Sequence, residues 1–449
     1  MKKKYILCMV LCLVCMMTGC GNTETRDTYV AGTDFQYQNL SDYVNYKAQG
    51  KDCLYCVIGN YIYQYDEKSG ILSPLCNKTN CLHDREKDES RLEDCNAYIS
   101  DDASEVGVQY MDGYIYSVMQ EYQENELCSV LYRIAEDGSD REKVYQWDGA
   151  VVESWCMHRG NAYVLEHCYS NEEGETYKVQ QISISGHKKA IFEPEEGVTV
   201  YAFGALTAYG NHLYINVSGA LGDNVDELNG EEWYKYEYNK TFQYNIQDES
   251  LTEIQTPHQK ETEHVLSVTF WKDKIVFAPS DSKTTHQYDV TTDVYIADLD
   301  GANAAVLLKD MPSYRMYSSD GNYLYVSDCS EALDKIYHSS EYQKKIQNGE
   351  KIKAVNDFIV HIDVYDKEMQ LVDRMESPFK NFPNELPYGI GDREYALIEN
   401  DAGDGKVLKY WDKTKIGTYQ GNIFEYIEVA EQKYSVYNMQ MMETGNEDE

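Results

Sequence analysis

The residues best suited to chemistry lie in one polar stretch, Cys76-Asn77-Lys78-Thr79-Asn80-Cys81-Leu82-His83, followed by Cys95-Asn96-Ala97-Tyr98. The spacing is C-x4-C-x-H-x11-C. Three thiolates and an imidazole can close a tetrahedral site around zinc, a borderline-soft ion that such ligands favour. Cys76, Cys81, His83 and Cys95 are therefore candidate ligands of a structural zinc. Four protein ligands leave no open coordination position, which argues against a catalytic metal. The competing chemistry is a disulfide between two of the three cysteines, because such bonds persist in exported proteins. It would leave His83 without a role and one cysteine over. Free thiols are the third reading. The stretch is rich in Asn, Lys, Asp and Glu, so it has little apolar matter to bury, and a metal or a disulfide would supply the missing constraint.

Other reactive-looking residues read as packing. Cys53-Leu54-Tyr55-Cys56 has the spacing of a redox pair, but it sits in a strand pattern, where its two sulfurs point to opposite faces. The helix N-terminus that lowers a redox thiol's pKa is missing. Cys128, Cys156, Cys168 and Cys329 read as small core hydrophobes. Asp298-Leu299-Asp300-Gly301-Ala302-Asn303 looks like the start of a calcium loop, but Lys309 stands where the bidentate Glu belongs, so it reads as a hairpin turn. The sequence contains no G-x-S-x-G elbow, no H-E-x-x-H, no P-loop and no haem-attachment motif. With 77 acidic residues, spacing alone singles out no glycosidase pair.

The elements that must carry these residues are short strands. Asp112-Gly113-Tyr114-Ile115-Tyr116 is a turn followed by an alternating strand, and looser copies end at Tyr55, Tyr163, Tyr214, Val276, Tyr325 and Tyr395. A repeat near 50 residues built of strands and turns is the pattern of a β-propeller. Each unit continues with two further strands separated by Asp-Gly or Ser-Gly type turns, the hairpin signal. The expected fold is all-β, a propeller of seven blades with eight as the alternative count, over residues 41–449. Strand-like runs at 423–429 and 434–437 would complete the last blade or begin an eighth. Residues 33–48 are expected to supply a strand that closes the ring, since an unclosed propeller leaves exposed edges. Two long intervals hold insertions, 219–238 and 330–353, the latter charged and helical in pattern. Insertions in repeat proteins emerge on one face, often the binding face, so Trp233 and Tyr234 are candidate ligand contacts. His158, His167, His212 and Glu166 lie near strands that a propeller would place toward its centre.

At the N-terminus, Met1-Lys2-Lys3-Lys4 precedes a 13-residue apolar run from Tyr5 to Met17, too short to span a bilayer and fitted to a secretory leader. Met17-Thr18-Gly19-Cys20 resembles the lipobox of bacterial lipoproteins, in which the cysteine is diacylated and becomes the new N-terminus. That resemblance implies a signal peptide at 1–19, lipidation of Cys20 and a tether over 20–40. Two acyl chains anchor a protein where one does not. The formal charge of −37 repels phosphate backbones, so nucleic acid is not an expected partner. Tyrosine, 42 residues against 10 Phe, suits half-buried strands whose hydroxyls stay wet.

The lipobox, the D-G-Y-I-Y units and the stretch from Leu75-Cys76-Asn77-Lys78 to Cys95-Asn96-Ala97-Tyr98 together resemble propeller-like lipoproteins of unknown function from anaerobic Gram-positive (clostridial) bacteria. The resemblance implies a propeller on the outer side of the cytoplasmic membrane, and it carries over no substrate and no catalytic residue. The leading functional expectation is a lipid-anchored binding or scaffold module for a surface protein, peptide or glycan. The alternative is an extracellular polysaccharide hydrolase or lyase with acids in the propeller channel. A two-lobed solute-binding lipoprotein is disfavoured by strand patterning almost throughout.

Overall fold

The computed structural model describes residues 27–36, 46–99, 107–123, 126–170, 174–222, 235–283, 290–312, 316–328, 361–377 and 386–434, with Ser340 and Lys344. Among these residues thirty strands form seven blades in chain order. Blade 1 is β1 (Lys47–Gln49), β2 (Cys53–Ile58), β3 (Tyr61–Asp66) and β4 (Ile71–Pro74). Blade 2 is β5 (Val108–Met111), β6 (Tyr114–Gln123), β7 (Glu126–Ala135) and β8 (Arg141–Asp148); blade 3 is β9 (Ala150–His158), β10 (Asn161–Ser170), β11 (Gly174–Ser183) and β12 (Lys188–Phe192). Blade 4 has a broken first strand, β13 (Val198–Phe203) and β14 (Thr207–Tyr209), both paired with β15 (His212–Leu221), then β16 (Glu237–Asn245) and β17 (Leu251–Glu253). In blade 5 the short pair β18 (Glu263–His264) and β21 (Ser280–Asp281) extends the hairpin of β19 (Thr269–Trp271) and β20 (Lys274–Phe277), followed by β22 (Thr291–Ala297) and β23 (Ala305–Pro312). Blade 6 is β24 (Tyr317–Ser319), β25 (Leu324–Asp328), β26 (His361–Tyr365) and β27 (Leu371–Glu376). Blade 7 is β28 (Arg393–Glu399), β29 (Gly405–Asp412) and β30 (Ile427–Lys433). Every pairing is antiparallel between neighbours in the blade, so the all-β propeller of seven blades is confirmed.

All seven repeat landmarks fall in the second strand of a blade, or in β28 of the last. The strand before each of the first six landmarks, the innermost, has no signal of its own in the sequence. Its side chains explain why. Neighbouring first strands lie side by side without forming a ladder, and polar side chains bridge them. Gln109 of blade 2 donates to Trp155 O (2.9 Å) and accepts from Met157 N (2.6 Å) of blade 3. Leu206 N donates to Ser154 Oγ at 2.8 Å, Thr269 Oγ1 to Tyr317 O at 3.1 Å, and Ser318 Oγ to Pro387 O at 2.6 Å. Buried backbone groups must be paired somewhere, and these polar residues interrupt the alternation that marks a strand.

The apolar core is divided among the junctions. Seven clusters of buried side chains occur among the described residues, each between two successive blades. The seventh joins the ends of the ring, with Leu54 and Tyr65 of blade 1 against Tyr395 and Leu408 of blade 7. Beside it runs a chain of buried charges. Lys47 Nζ lies 3.0 Å from Glu394 Oε1, and Lys413 Nζ lies 3.9 Å from Glu394 Oε2 and 3.0 Å from Asp320 Oδ2 of blade 6. Among the described residues no blade takes strands from both chain ends, and packing and charge join blade 7 to blade 1. Residues 37–45, most of the stretch expected to supply a closing strand, lie outside the described residues. The tail completes blade 7 through β30, and Phe424 fills the junction between blades 6 and 7. Ile416–Tyr419 follows a short 3-10 turn at Lys413–Lys415.

Residues 27–36, part of the stretch read as tether, lie across the turns between first and second strands. Asp27 accepts from Asn211 N (3.1 Å) and faces His212 Nε2 at 3.0 Å in blade 4. Asp34, fully buried at its carboxylate, takes a forked pair from Arg159 of blade 3, Nε to Oδ1 at 2.8 Å and Nη2 to Oδ2 at 3.0 Å. Gly32 O accepts from Asp112 N of blade 2 (2.7 Å). Gln36 Oε1 accepts from Gln49 N of blade 1 (2.9 Å). The segment is a strap over four blades. Cys20 lies outside the described residues.

Candidate metal centre

The cluster sits in the connection between β4 and β5. Leu75 N donates to Ile62 O (2.8 Å), so Cys76 leaves blade 1 at a defined point. Two 3-10 turns, His83–Arg85 and Glu89–Asp94, fold the connection back, the second capped by Asp88 accepting from Ser90 N. Leu92, Ala97 and Ile99 bury the back of the loop against blade 1, and Ile99 N donates to Asn60 O (2.9 Å) in the β2–β3 turn. His83 has a left-handed backbone (φ 53°), a costly conformation for a non-glycine residue, and Tyr61 Oη donates to its carbonyl at 3.1 Å.

This folding brings all four predicted ligands together. The ligand atoms of Cys76, Cys81, His83 and Cys95 lie within 4.8 Å of one another. Cys95 Sγ is 3.6 Å from His83 Nδ1. Ligand bonds of about 2.3 Å to sulfur and about 2.0 Å to nitrogen at a tetrahedral angle require roughly 3.5 Å between those atoms. The three cysteines are free thiols. Burial holds the His83 imidazole below its usual pKa, so it is neutral and able to ligate. Burial pushes the Cys95 thiol up, whereas at Cys76 burial is outweighed by backbone N–H groups of Lys78 and Asn96, which lower it. The donor set, spacing and local charge all fit a four-coordinate metal.

The loop is also fastened to both neighbours of blade 1. Asn77 N (3.3 Å) and Asn96 Nδ2 (2.9 Å) donate to Gly138 O in the β7–β8 turn of blade 2. Asp84 Oδ2 accepts from Tyr63 Oη and from Gln432 Nε2 of blade 7, each at 3.0 Å.

The other named side chains do not converge. His158 is wholly buried, accepting from Phe35 N at Nδ1 (3.0 Å) and facing Gly210 O from Nε2 at 2.8 Å. His212 lies between Gln243 (2.6 Å) and Asp27. His167 pairs with Glu153 (2.7 Å) and stacks on Tyr177, while Glu166 pairs with Lys188 (2.7 Å). Each is engaged in holding strands or the strap. Asp298 is occupied as expected of a hairpin turn, accepting from Asn303 Nδ2 at 2.7 Å and pairing with Lys274. Cys56 is buried and Cys53 half-buried on β2, as the packing reading requires. Trp233 and Tyr234 lie outside the described residues, as does most of 330–353, of which Ser340 and Lys344 are helical. The 219–238 interval proves shorter as an insertion, because β15 runs to Leu221 and β16 starts at Glu237. Sequence reasoning missed the contact of Gly138 with the loop, the Asp34–Arg159 pair and the Lys47–Glu394–Lys413–Asp320 chain, all long-range contacts with no local signature.

No family model and no curated protein sequence matches the chain. Solved structures do resemble it. A prolyl endopeptidase aligns at 10% identity and a TM-score of 0.49, over 90% of this chain and 51% of that one, so this chain spans about half its length. The β-propeller domain of the Trilobed protease from Pyrococcus furiosus aligns at 11% identity and 0.38, over 90% and 99%. An oligogalacturonate lyase in complex with manganese aligns at 13% and 0.40, over 92% and 97%. The fold assignment stands on the strand order described above.

Proposed function

We propose that this chain is a lipid-anchored extracytoplasmic propeller, a binding or scaffold module for a protein, peptide or glycan, with a structural zinc in its first inter-blade connection. The anchor rests on the leader and Cys20. The resemblance to clostridial propeller lipoproteins supports the location. The observation that carries the binding reading is the placement of the long connections. The intervals between β15 and β16 and between β25 and β26 both join second to third strands, so they leave and rejoin their blades at the end of the ring opposite the strap. The histidines and Glu166 considered for hydrolysis are each committed to structural partners, which weighs against that alternative.

The zinc is tested directly. The leaderless protein purified without chelator is expected to carry one zinc per chain by elemental analysis, and a Cys81→Ser/His83→Ala variant to carry none and to melt several degrees lower. Zinc-free protein with unoxidised Cys76, Cys81 and Cys95 would sink the metal reading. Binding is tested by capture of envelope proteins and a glycan array, with turnover on a polysaccharide panel measured in parallel. Turnover abolished by one acid substitution would favour the lyase or hydrolase.

A further inference from the structure

We propose that the strap sets the ring's orientation on the membrane, with the turns between first and second strands facing the lipid and the opposite end, which carries the turns between second and third strands, facing outward. This rests on the reading of Cys20 as the lipidated residue.

The argument is one of reach. Asp27 is the first described residue and lies seven positions after Cys20. Seven extended residues span at most about 25 Å. Asp27 is held at the end of the ring that carries the turns at 50–52, 112–113, 159–160 and 210–211, through Asn211 and His212. The blade strands beside it, such as β9 and β10, are 9 and 10 residues long, so the opposite end lies about 30 Å further on. A tether of that length reaches the bilayer from the strap end and cannot pass the height and radius of the ring to present the other end.

The strap is fixed rather than a loose leash. The buried Asp34 carboxylate is gripped by the Arg159 fork, Phe35 is packed in the junction of blades 3 and 4, and His158 accepts from its N–H. Buried forked pairs of this kind are directional and costly to break. Four blades share the contact, so the anchor's direction is transmitted to the ring as a body. The Cys/His loop bonds the β2–β3 turn through Ile99 and the β7–β8 turn through Asn77 and Asn96, so it runs along the flank of blades 1 and 2 and does not mark either end.

The test uses the processed, full-length protein in vesicles that carry an energy-transfer acceptor on their headgroups. A fluorescent amino acid is placed at exposed Lys51, in the β1–β2 turn, or at exposed Asp401, in the β28–β29 turn. Transfer from position 51 is expected to exceed that from position 401 several-fold. A twenty-residue Gly/Ser insertion between positions 23 and 24, which leaves the folded ring untouched, should erase the difference while the protein stays on vesicles. Acyl chains on Cys20 by mass spectrometry together with equal or reversed transfer would overturn the orientation alone. Absence of acyl chains would overturn the anchor and the orientation with it.

Discussion

At the scale of single residues, the chain shows how a side chain that looks catalytic can be structural. His158 has no exposure and is held between Phe35 N and Gly210 O, an arrangement that needs the neutral ring. Burial, opposed only in part by Asp34, pulls its pKa down to about 4 from 6.5. The unfolded chain therefore binds a proton between pH 6.5 and 4 that the folded chain refuses, and stability falls as pH falls through that window. The contribution is about 3 kcal/mol, complete above pH 6.5 and lost by about pH 4. Replacing His158→Gln keeps one donor and one acceptor, so the variant should resemble the parent at pH 4.5 far more than a lost contact would allow. Denaturant melts at pH 4.5 and 7.5 are expected to show a smaller pH difference in the variant. An unchanged difference would mean that His158 is protonated in the fold.

At the scale of elements, what could be read from sequence divides along physical lines. Second strands were legible because an Asp-Gly turn and Tyr/Ile alternation are local signals. First strands were not, because Gln109, Ser154, Thr269 and Ser318 serve the next blade and break the alternation. The four metal-type ligands were legible as a spacing, whereas the surface that positions them was not. That surface is the β7–β8 turn, where Gly138 has φ +69° and a Cβ there would lie 2.7 Å from Cys76 N and Leu75 C. Only glycine combines that backbone with that approach. Gly138→Ala is expected to cost about 2–4 kcal/mol, from left-handed strain plus overpacking against backbone. Because the loop must shift, zinc affinity should weaken as well. Equilibrium unfolding and competition with a chelator measure both, and a loss below about 1 kcal/mol with unchanged affinity would show that the loop does not depend on the turn.

At the scale of the whole molecule, the ring must hold its two ends together, and the seam between blades 7 and 1 is where they meet. Among the described residues that seam holds four buried apolar side chains where the junction of blades 3 and 4 holds fourteen. Charge adds to the apolar contact. Glu394 stands between Lys47 and Lys413, and it also accepts from Gly389 N at 2.8 Å, so one carboxylate ties blade 1 to blade 7 and, through Lys413 and Asp320, to blade 6. Removing one member of a buried pair leaves uncompensated charge and costs about 3–5 kcal/mol, whereas replacing both members with apolar groups can be nearly neutral. Glu394→Ala should therefore destabilise the protein by that amount, and the double variant Lys47→Met/Glu394→Leu should recover much of it. The coupling between the two sites in a double-mutant cycle would measure the latch. Additive losses would mean that the carboxylate acts on blade 7 alone. The Cys/His loop crosses the same seam through Asp84 and Gln432, so chelation should lower the melting temperature further in Glu394→Ala than in the parent. Equal shifts would separate the metal from closure and confine it to the junction of blades 1 and 2.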